Sequence, residues 1–516
     1  MNDKNGSLVM KRLLLAAVAA SVVAVAMPVK TADAQTMRIA LREDPDIMDP
    51  TLARTYVGRI VFASICDKLF DIDKDLNIVP QLATAFRWDD PKTLTITLRD
   101  GVKFHDGETM DANAVVYSLN RHLTMQGSFR RGEINAMDRV EAVDAKTVRI
   151  HLKVPFAPFL AQLTDRAGMI VSPKAAEAAG RDFGLRPVCA GPFRFVERVA
   201  QDRIVVERFA DYWDKDNVHL DRIVYRPIPD STVRLANLQS GAIELTETIA
   251  ATDIPAVKRN PRLRVAMGDE LGYQGITFNI ANGERARAPI GQHAKVRQAF
   301  DYAIDRATIV QVVYDGHFTP TAQAVPPSSP YYVRSLTPPT RDVARARALL
   351  REAGVSTPVR VELTVPNNPD MRQVGEVIQA MAGEAGFQVT VRAMEFASSL
   401  QAAQRGDFEA YLVGWSGRTD PDGNLWNFVH SRGAQNDGKY ANAEVDRLLD
   451  ASRAESDQEK RVALFEQMYR HYITEDRGRL YLWHRKNIHA YSARVQGFAP
   501  VPDGLIRVKG VRLAAN

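Results

Sequence analysis

Gly414-Trp415-Ser416-Gly417-Arg418-Thr419-Asp420-Pro421-Asp422-Gly423-Asn424 follows a β-patterned run, Phe408 to Val413, in the back half of the chain. A Trp and an Arg held by a glycine-rich turn at the carboxyl end of a buried strand point to a small-molecule pocket, because open α/β sheets bind ligands at that edge. Upstream, Val359, Val361, Leu363 and Val365 alternate as a strand, and Val374, Ile378, Met381 and Ala385 repeat with helical spacing. Val389 and Val391 mark another strand, and a helix is predicted near 397 to 405. The result is a β-α-β-α-β unit that delivers Trp415 to the sheet's carboxyl edge, so the fold class is α/β.

Outside this unit the pattern changes character. Residues 37 to 44 alternate as a strand and run into the turn formers Asp44-Pro45-Asp46 and Asp49-Pro50. Leu94, Ile96 and Leu98 alternate with Thr93, Thr95 and Thr97, and His105-Asp106-Gly107 reads as a tight turn rather than half of a metal-binding pair. Asp111 caps a helix carrying Val115, Leu119 and Leu123. Sheet returns over Thr147 to Val154 and in short strands from Gly191 to Tyr225; a helix over Thr232 to Gln239 closes with Gly241. Helices are predicted again around Val296 to Ala303, Ile309 to Val313, 442 to 453 and 457 to 473, before a return strand from Leu480 to Tyr491.

The amino terminus sets the compartment. Lys11 and Arg12 precede an apolar run of 15 residues, Leu13 to Met27, broken only by Ser21. Ala32-Asp33-Ala34 supplies a small-x-small cleavage pattern, so residues 1–34 read as a signal peptide and the mature chain starts at Gln35. The run is short of the roughly 20 residues that a spanning helix needs. Met10, directly before Lys11, offers an alternative start. No Cys stands at the cleavage point to carry a lipid, and a free periplasmic protein of a two-membrane bacterium is expected.

About 480 mature residues exceed what one hydrophobic core usually serves, so two or three domains are expected. The formal charge of +5 falls to +3 once Lys4, Lys11, Arg12, Lys30, Asp3 and Asp33 are removed, leaving 63 basic and 60 acidic residues. With no dense basic run, nucleic acid is not the expected partner. The two cysteines, Cys66 and Cys189, read as a disulfide rather than a metal site, since zinc would need about four ligands and no CxxC or HxxxH spacing occurs. Two buried free thiols are the alternative.

The stretches Cys66-Asp67-Lys68-Leu69-Phe70, Pro80-Gln81-Leu82-Ala83, Leu98 to Gly107, Ala190-Gly191-Pro192-Phe193, Asp211-Tyr212-Trp213 and Val296-Arg297-Gln298-Ala299 occur in this order. They make essentially the whole mature chain resemble the family 5 extracellular solute-binding proteins, the dipeptide, oligopeptide, glutathione and nickel receptors of ABC importers. The resemblance implies a two-lobed periplasmic-binding-protein-like fold (type II, cluster C), joined by two crossing strands, with an extra α+β subdomain in the first lobe. It places lobe I at 35–64, 178–272 and 489–516, the inserted subdomain at 65–177, and lobe II at 273–488. Cys66 and Cys189 would then sit at the exit into the insert and the return from it. A bond between them closes a loop of roughly 120 residues and stabilises by about 4–5 kcal/mol on the chain-entropy model.

In peptide-binding members an Asp that pairs with the peptide's amino group stands three residues after the Trp of this turn; here that position is Arg418. The reversed sign argues against a simple peptide and suits a carboxylate or phosphate gripped by a planar fork. Arg418 pairing with Asp420 or Asp422 is the alternative, and Asp420 taking over the amino group is another. The resemblance places Arg54, Thr55 and Tyr56 on the opposite wall, Tyr273 and Gln274 at the first crossing, and Trp483 and His484 near the second. With Trp415, Ser416 and Gly417 of the turn they form the expected substrate-binding set, and the expected ligand is an anionic or zwitterionic organic solute.

Chemistry is not expected. Gly414-Trp415-Ser416-Gly417 approaches a nucleophile elbow, but Arg418 stands where G-x-S-x-G needs its second glycine. No catalytic residue, cofactor or resident metal is expected. No G-x-x-x-x-G-K-[ST] loop occurs, so the inner-membrane permease and its ATPase subunits are separate partners of what is expected to be a monomer. Nickel or haem carriage, with His430, His484 and His489 as the histidines to consider, is the alternative cargo.

Overall fold

The computed structural model describes residues 35–514, and the predicted export segment lies outside them. Seven elements position the site: β1 (Thr36–Leu41), α1 (Tyr56–Ile65), β2 (Leu263–Phe278), α2 (Pro369–Glu384), β3 (Ala410–Trp415), α3 (Asp422–Val429) and β4 (Arg479–Ser492). An eleven-stranded mixed sheet has β2 and β4 side by side in its middle. These are long strands, 16 and 14 residues, paired antiparallel from Leu263 opposite Ser492 to Thr277 opposite Arg479. Beyond β4 the sheet continues through Leu245–Thr246, β1, Arg222–Pro227, Arg203–Arg208 and Phe193–Val199. Beyond β2 it continues through β3, Val359–Pro366 and Phe387–Met394. Each half of the sheet belongs to one lobe of a two-lobed α/β fold, and the two long strands join them.

The β-α-β-α-β unit forms because its strands alternate, with one apolar face turned to the core. Val359, Val361, Leu363 and Val365 are all buried, and Val359–Pro366 pairs in parallel with Phe387–Met394 and with β3, as expected of a sheet covered by crossover helices. Asn368 starts α2 by accepting from the Met371 amide at 3.0 Å, a cap of about 1 kcal/mol. Val374, Ile378 and Ala382 then turn inward. β3 runs two residues past the predicted strand, because Gly414 and Trp415 still pair with Gln274 and Tyr273. The predicted helix over 457 to 473 ends at Tyr469 and closes through a π-helical turn, Arg470–Glu475.

A separate four-stranded antiparallel sheet is built from Ala83–Asp90, Thr93–Leu98, Met137–Asp144 and Thr147–Leu152. It packs its own core, in which Leu94, Ile96, Leu119 and Ile150 are fully buried. Cys66 and Cys189 are bonded, with Cα atoms 4.9 Å apart across 123 residues of sequence. They fasten the chain where it leaves for this sheet and where it returns. Among the described residues no helix is long and apolar enough to cross a membrane.

Candidate functional site

The turn 415–424 is built by its own side chains. Gly417 has φ +75°, and a Cβ there would lie 2.2 Å from the carbonyl carbon of Leu271, so only glycine fits. Asn424 Oδ1 accepts from Trp415 Nε1 at 3.1 Å and from the Arg418 amide at 2.7 Å. Tyr273 donates to the Asn424 carbonyl at 3.3 Å. The acidic residues are taken as well. Arg461 grips Asp420 with two bonds of 2.8 Å, and Arg453 grips Asp422 at 2.6 and 3.0 Å.

Arg418 does not enter the cleft as the sequence suggested. It is 8% exposed, its guanidinium lies over Trp415 at 4.4 Å, and its Nε is 3.3 Å from Asp165 Oδ2. One Nη donates to the Gly417 carbonyl at 2.6 Å. The partner is neither Asp420 nor Asp422, because both already hold other arginines. Burial and the neighbouring Arg59 push the Arg418 group down to about 10. Burial pushes the Asp165 carboxyl up, but Arg418, Arg59 and Arg166 together hold it well below the usual carboxylate range.

A cavity does lie between the lobes, with about 140 Å³ open to the centre of a water-sized sphere, roughly ten times the minimum for one water. Of the twelve residues expected to bind, six line it: Arg54, Tyr56, Gln274, Trp415, Ser416 and Trp483. Six do not. Thr55 caps α1, accepting from the Gly58 amide at 3.3 Å. Tyr273 is fully buried against Tyr481, with ring centres 4.8 Å apart. Gly417 packs on Leu271, and Arg418 and Asp420 are paired as above. His484 is buried with Nδ1 on the Gly272 carbonyl at 3.0 Å, and burial pushes it down to about 4, so it is neutral at neutral pH.

The cavity also brings in residues that sequence reasoning missed. Its basic lining is Arg42, Arg54, Arg234, Arg479, Arg485 and Lys486, against Glu43, Glu270, Asp370 and Asp437. Arg54 binds Asp437 at 2.8 Å, joining the two lobes, and Arg485 binds Glu270 at 2.5 Å. Arg42 holds Glu247 through Nε at 2.6 Å. Arg479 donates to the Val413 carbonyl at 2.8 Å, and Arg234 to the carbonyls of Ile228, Pro229 and Thr248. Neither of these two has a carboxylate within 4.0 Å among the described residues.

Five buried N–H groups of the lining find no acceptor among the described residues: Nε of Arg54, Arg479 and Arg485, Nε1 of Trp483 and Nε2 of Gln435. On the acidic side, Glu43 and Asp370 have no ion partner there. Burial, with Glu247 adding and Arg42 opposing, pushes Glu43 up to about 8. Asp370 is raised by burial too, despite Arg234 and Arg42. The one sequence signal that pointed this way was the alternation of β4 beside Trp483, which puts Arg479 on the same wall.

The nucleophile and metal alternatives meet different surroundings. Ser416 Oγ accepts from Arg59 at 2.8 Å, another contact between the lobes. His430 stacks on Trp426, His489 packs edge-on against Phe498, and His484 faces a main-chain carbonyl, so the three do not converge. Among the described residues no group of three or more His, Cys, Asp or Glu is arranged around a common metal position.

Residues 77–436 match the model of the bacterial extracellular solute-binding proteins, family 5. The glutathione-binding protein GsiB of Salmonella paratyphi A is 30% identical over 483 residues, 91% of this chain and 93% of its own. Among solved structures, AgaA of A. tumefaciens R10, in complex with agropinic acid, is 26% identical with a TM-score of 0.85 over 93% of this chain and 99% of that one. The Escherichia coli murein tripeptide binding protein MppA, at 20% identity, shares the fold with a TM-score of 0.87 over 94% of this chain and 99% of its own. A cavity between two lobes on paired crossing strands is what a receptor needs to hold a solute, and the chain belongs to the family 5 bacterial extracellular solute-binding proteins, the solute-binding components of ABC importers.

Proposed function

We propose that the cargo is a zwitterionic organic solute with at least one carboxylate, enclosed without chemistry. The observation that carries this reading is the charge of one cavity's lining, in which Arg234 and Arg479 have no carboxylate within 4.0 Å and Glu43 and Asp370 have no ion partner among the described residues, with five further unpartnered N–H groups on its lining residues. A buried donor without a partner costs about 1–3 kcal/mol, so a solute rich in acceptors recovers what an apolar solute cannot. Arg479 and Arg485 take the carboxylate, while Glu43 and Asp370 take a cationic group. Glutathione-binding GsiB and AgaA with agropinic acid supply the first two probes.

In this reading 35–64, 178–272 and 489–516 form one lobe carrying 65–177 as an insert, and 273–488 form the other. Ligand contacts on both lobes favour the closed form, and closure driven by that differential affinity presents the monomer to an inner-membrane permease and its ATPase subunits. Residues 1–34 direct export to the periplasm and are removed after Ala34.

A thermal-unfolding screen of the purified protein tests the cargo class. Glutathione, agropinic acid, dipeptides and amino-acid conjugates are compared with uncharged sugars and with nickel. Stabilisation by carboxylate-bearing zwitterions alone is expected. Stabilisation by the sugars or by nickel, with none from the zwitterions, overturns the proposal.

A further inference from the structure

The cargo cavity contains a guanidinium and a carboxylate, from opposite halves of the sheet, that both lack an ion partner among the described residues. Arg234 stands on the helix Ser231–Ser240, which in sequence lies between Arg222–Pro227 and Leu245–Thr246, the two strands that flank β1. Asp370 stands in the first turn of α2, in the half beyond β2. Both line the cavity. They do not pair with each other, yet Arg234 is the foremost charge opposing the rise that burial imposes on the Asp370 carboxyl. The two are therefore within Coulombic reach across a gap that neither closes.

The neighbouring charges are engaged elsewhere. Arg42, next in influence on Asp370, holds Glu247 through Nε at 2.6 Å, and Asp230 caps the helix of Arg234 by accepting from the Thr232 and Val233 amides. Arg234 itself is locked. Its Nε donates to the Thr248 carbonyl at 3.0 Å, and Nη1 donates to those of Ile228 and Pro229 at 2.7 and 2.9 Å. Nη2 makes no hydrogen bond among the described residues, and neither do the two Asp370 oxygens; all three atoms keep accessible surface.

A guanidinium tied to main-chain carbonyls cannot swing across to Asp370, so it offers its open Nη2 to one oxyanion. A carboxylate with both oxygens open suits a donor with several protons. Covering either charge alone leaves the other buried without compensation, whereas a group with an ammonium and a carboxylate side by side satisfies both. We propose that the cargo carries an intact α-amino-acid head, its ammonium on Asp370 and its carboxylate on Arg234, and that the rest of the solute is attached through the side chain and runs towards Arg479 and Arg485. This deepens the reading of the cargo as a carboxylate-bearing zwitterion and rests on it. Because the two residues come from opposite halves of the sheet, such a head also ties the halves together when bound.

Two isomers separate this inference from the broader one. γ-Glutamylglycine keeps its α-ammonium and α-carboxylate on one carbon; α-glutamylglycine has the same atoms and the same charged groups, but its α-carboxyl is consumed in the peptide bond. In calorimetric titration of the wild type, γ-glutamylglycine is expected to bind about tenfold more tightly or better, the worth of one charge-assisted hydrogen bond. Asp370→Asn, which breaks no hydrogen bond within the protein, is expected to abolish that preference. Equal binding of the isomers, a preference for the α isomer, or a preference that survives Asp370→Asn overturns the inference and leaves the cargo class standing. Binding of neither isomer also overturns it, and the cargo class falls with it only if the unfolding screen shows stabilisation by sugars or nickel and none by zwitterions.

Discussion

The turn 415–424 and the strand pair β2/β4 both place arginines at the junction of the lobes, and the two sets end in opposite conditions. Arg418 is covered by Trp415, bonded to its own turn and shared with Asp165. Arg479 and Arg485 each keep an Nε–H without an acceptor on the wall of the cavity. The first region spends its charge on holding the lobes in register, and the second keeps donors available for a solute. Charge sign at a motif position therefore says little about cargo until the neighbours that consume that charge are known.

The largest expected effect probes the structural side of this contrast. Asp165→Asn leaves Arg59, Arg166 and Arg418 without their shared carboxylate and lowers unfolding free energy by about 3–5 kcal/mol in urea titration. A loss below about 1 kcal/mol would mean that the cluster is as solvated as a surface pair. On the binding side, Arg479→Met weakens the best solute of the screen ten- to hundredfold, about 1.5–3 kcal/mol, by calorimetry. Unchanged affinity would remove Arg479 from the site.

Arg418→Met is the direct comparison. It costs about 1–2 kcal/mol of stability through the lost contact with Trp415 and changes solute affinity less than about threefold, a shift under roughly 0.7 kcal/mol. If affinity instead falls more than tenfold with stability intact, the roles of the two regions are exchanged.

The last test is a pH dependence. Glu43 is raised in the folded state to about 8, so its favourable contribution is complete below the ordinary carboxyl range and is lost as pH rises to about 8. Wild type should lose unfolding temperature relative to Glu43→Gln between pH 5 and 8.5 without solute. Parallel curves for the two proteins would place Glu43 in open solvent.

Much of the fold was legible because it rests on local periodicity. The alternation of Val359 to Val365, the helical spacing of Val374 and Ile378, and the return strand before Tyr491 each report burial that neighbouring residues share. The cysteine pair was legible too, since only two are present and the resemblance put both at the same crossing. Glu43, Asp370, Arg479 and Arg485 were not. They come from stretches far apart in sequence and carry no spacing signature: the register of β4 on β2 places Arg479 and Arg485, while Glu43 arrives just past the end of β1 and Asp370 in the first turn of α2.

By itself, then, the sequence determined the α/β class and the glycine-rich turn through backbone preference and short-range pattern, and its ordered motifs carried the resemblance that implied the lobed architecture and the family. The tertiary structure alone decided which guanidiniums are free. A charge is available only if every neighbour within a few ångströms leaves it so, and those neighbours, Asp165 for Arg418 and the Val413 carbonyl for Arg479, are brought there by packing between elements rather than by order along the chain.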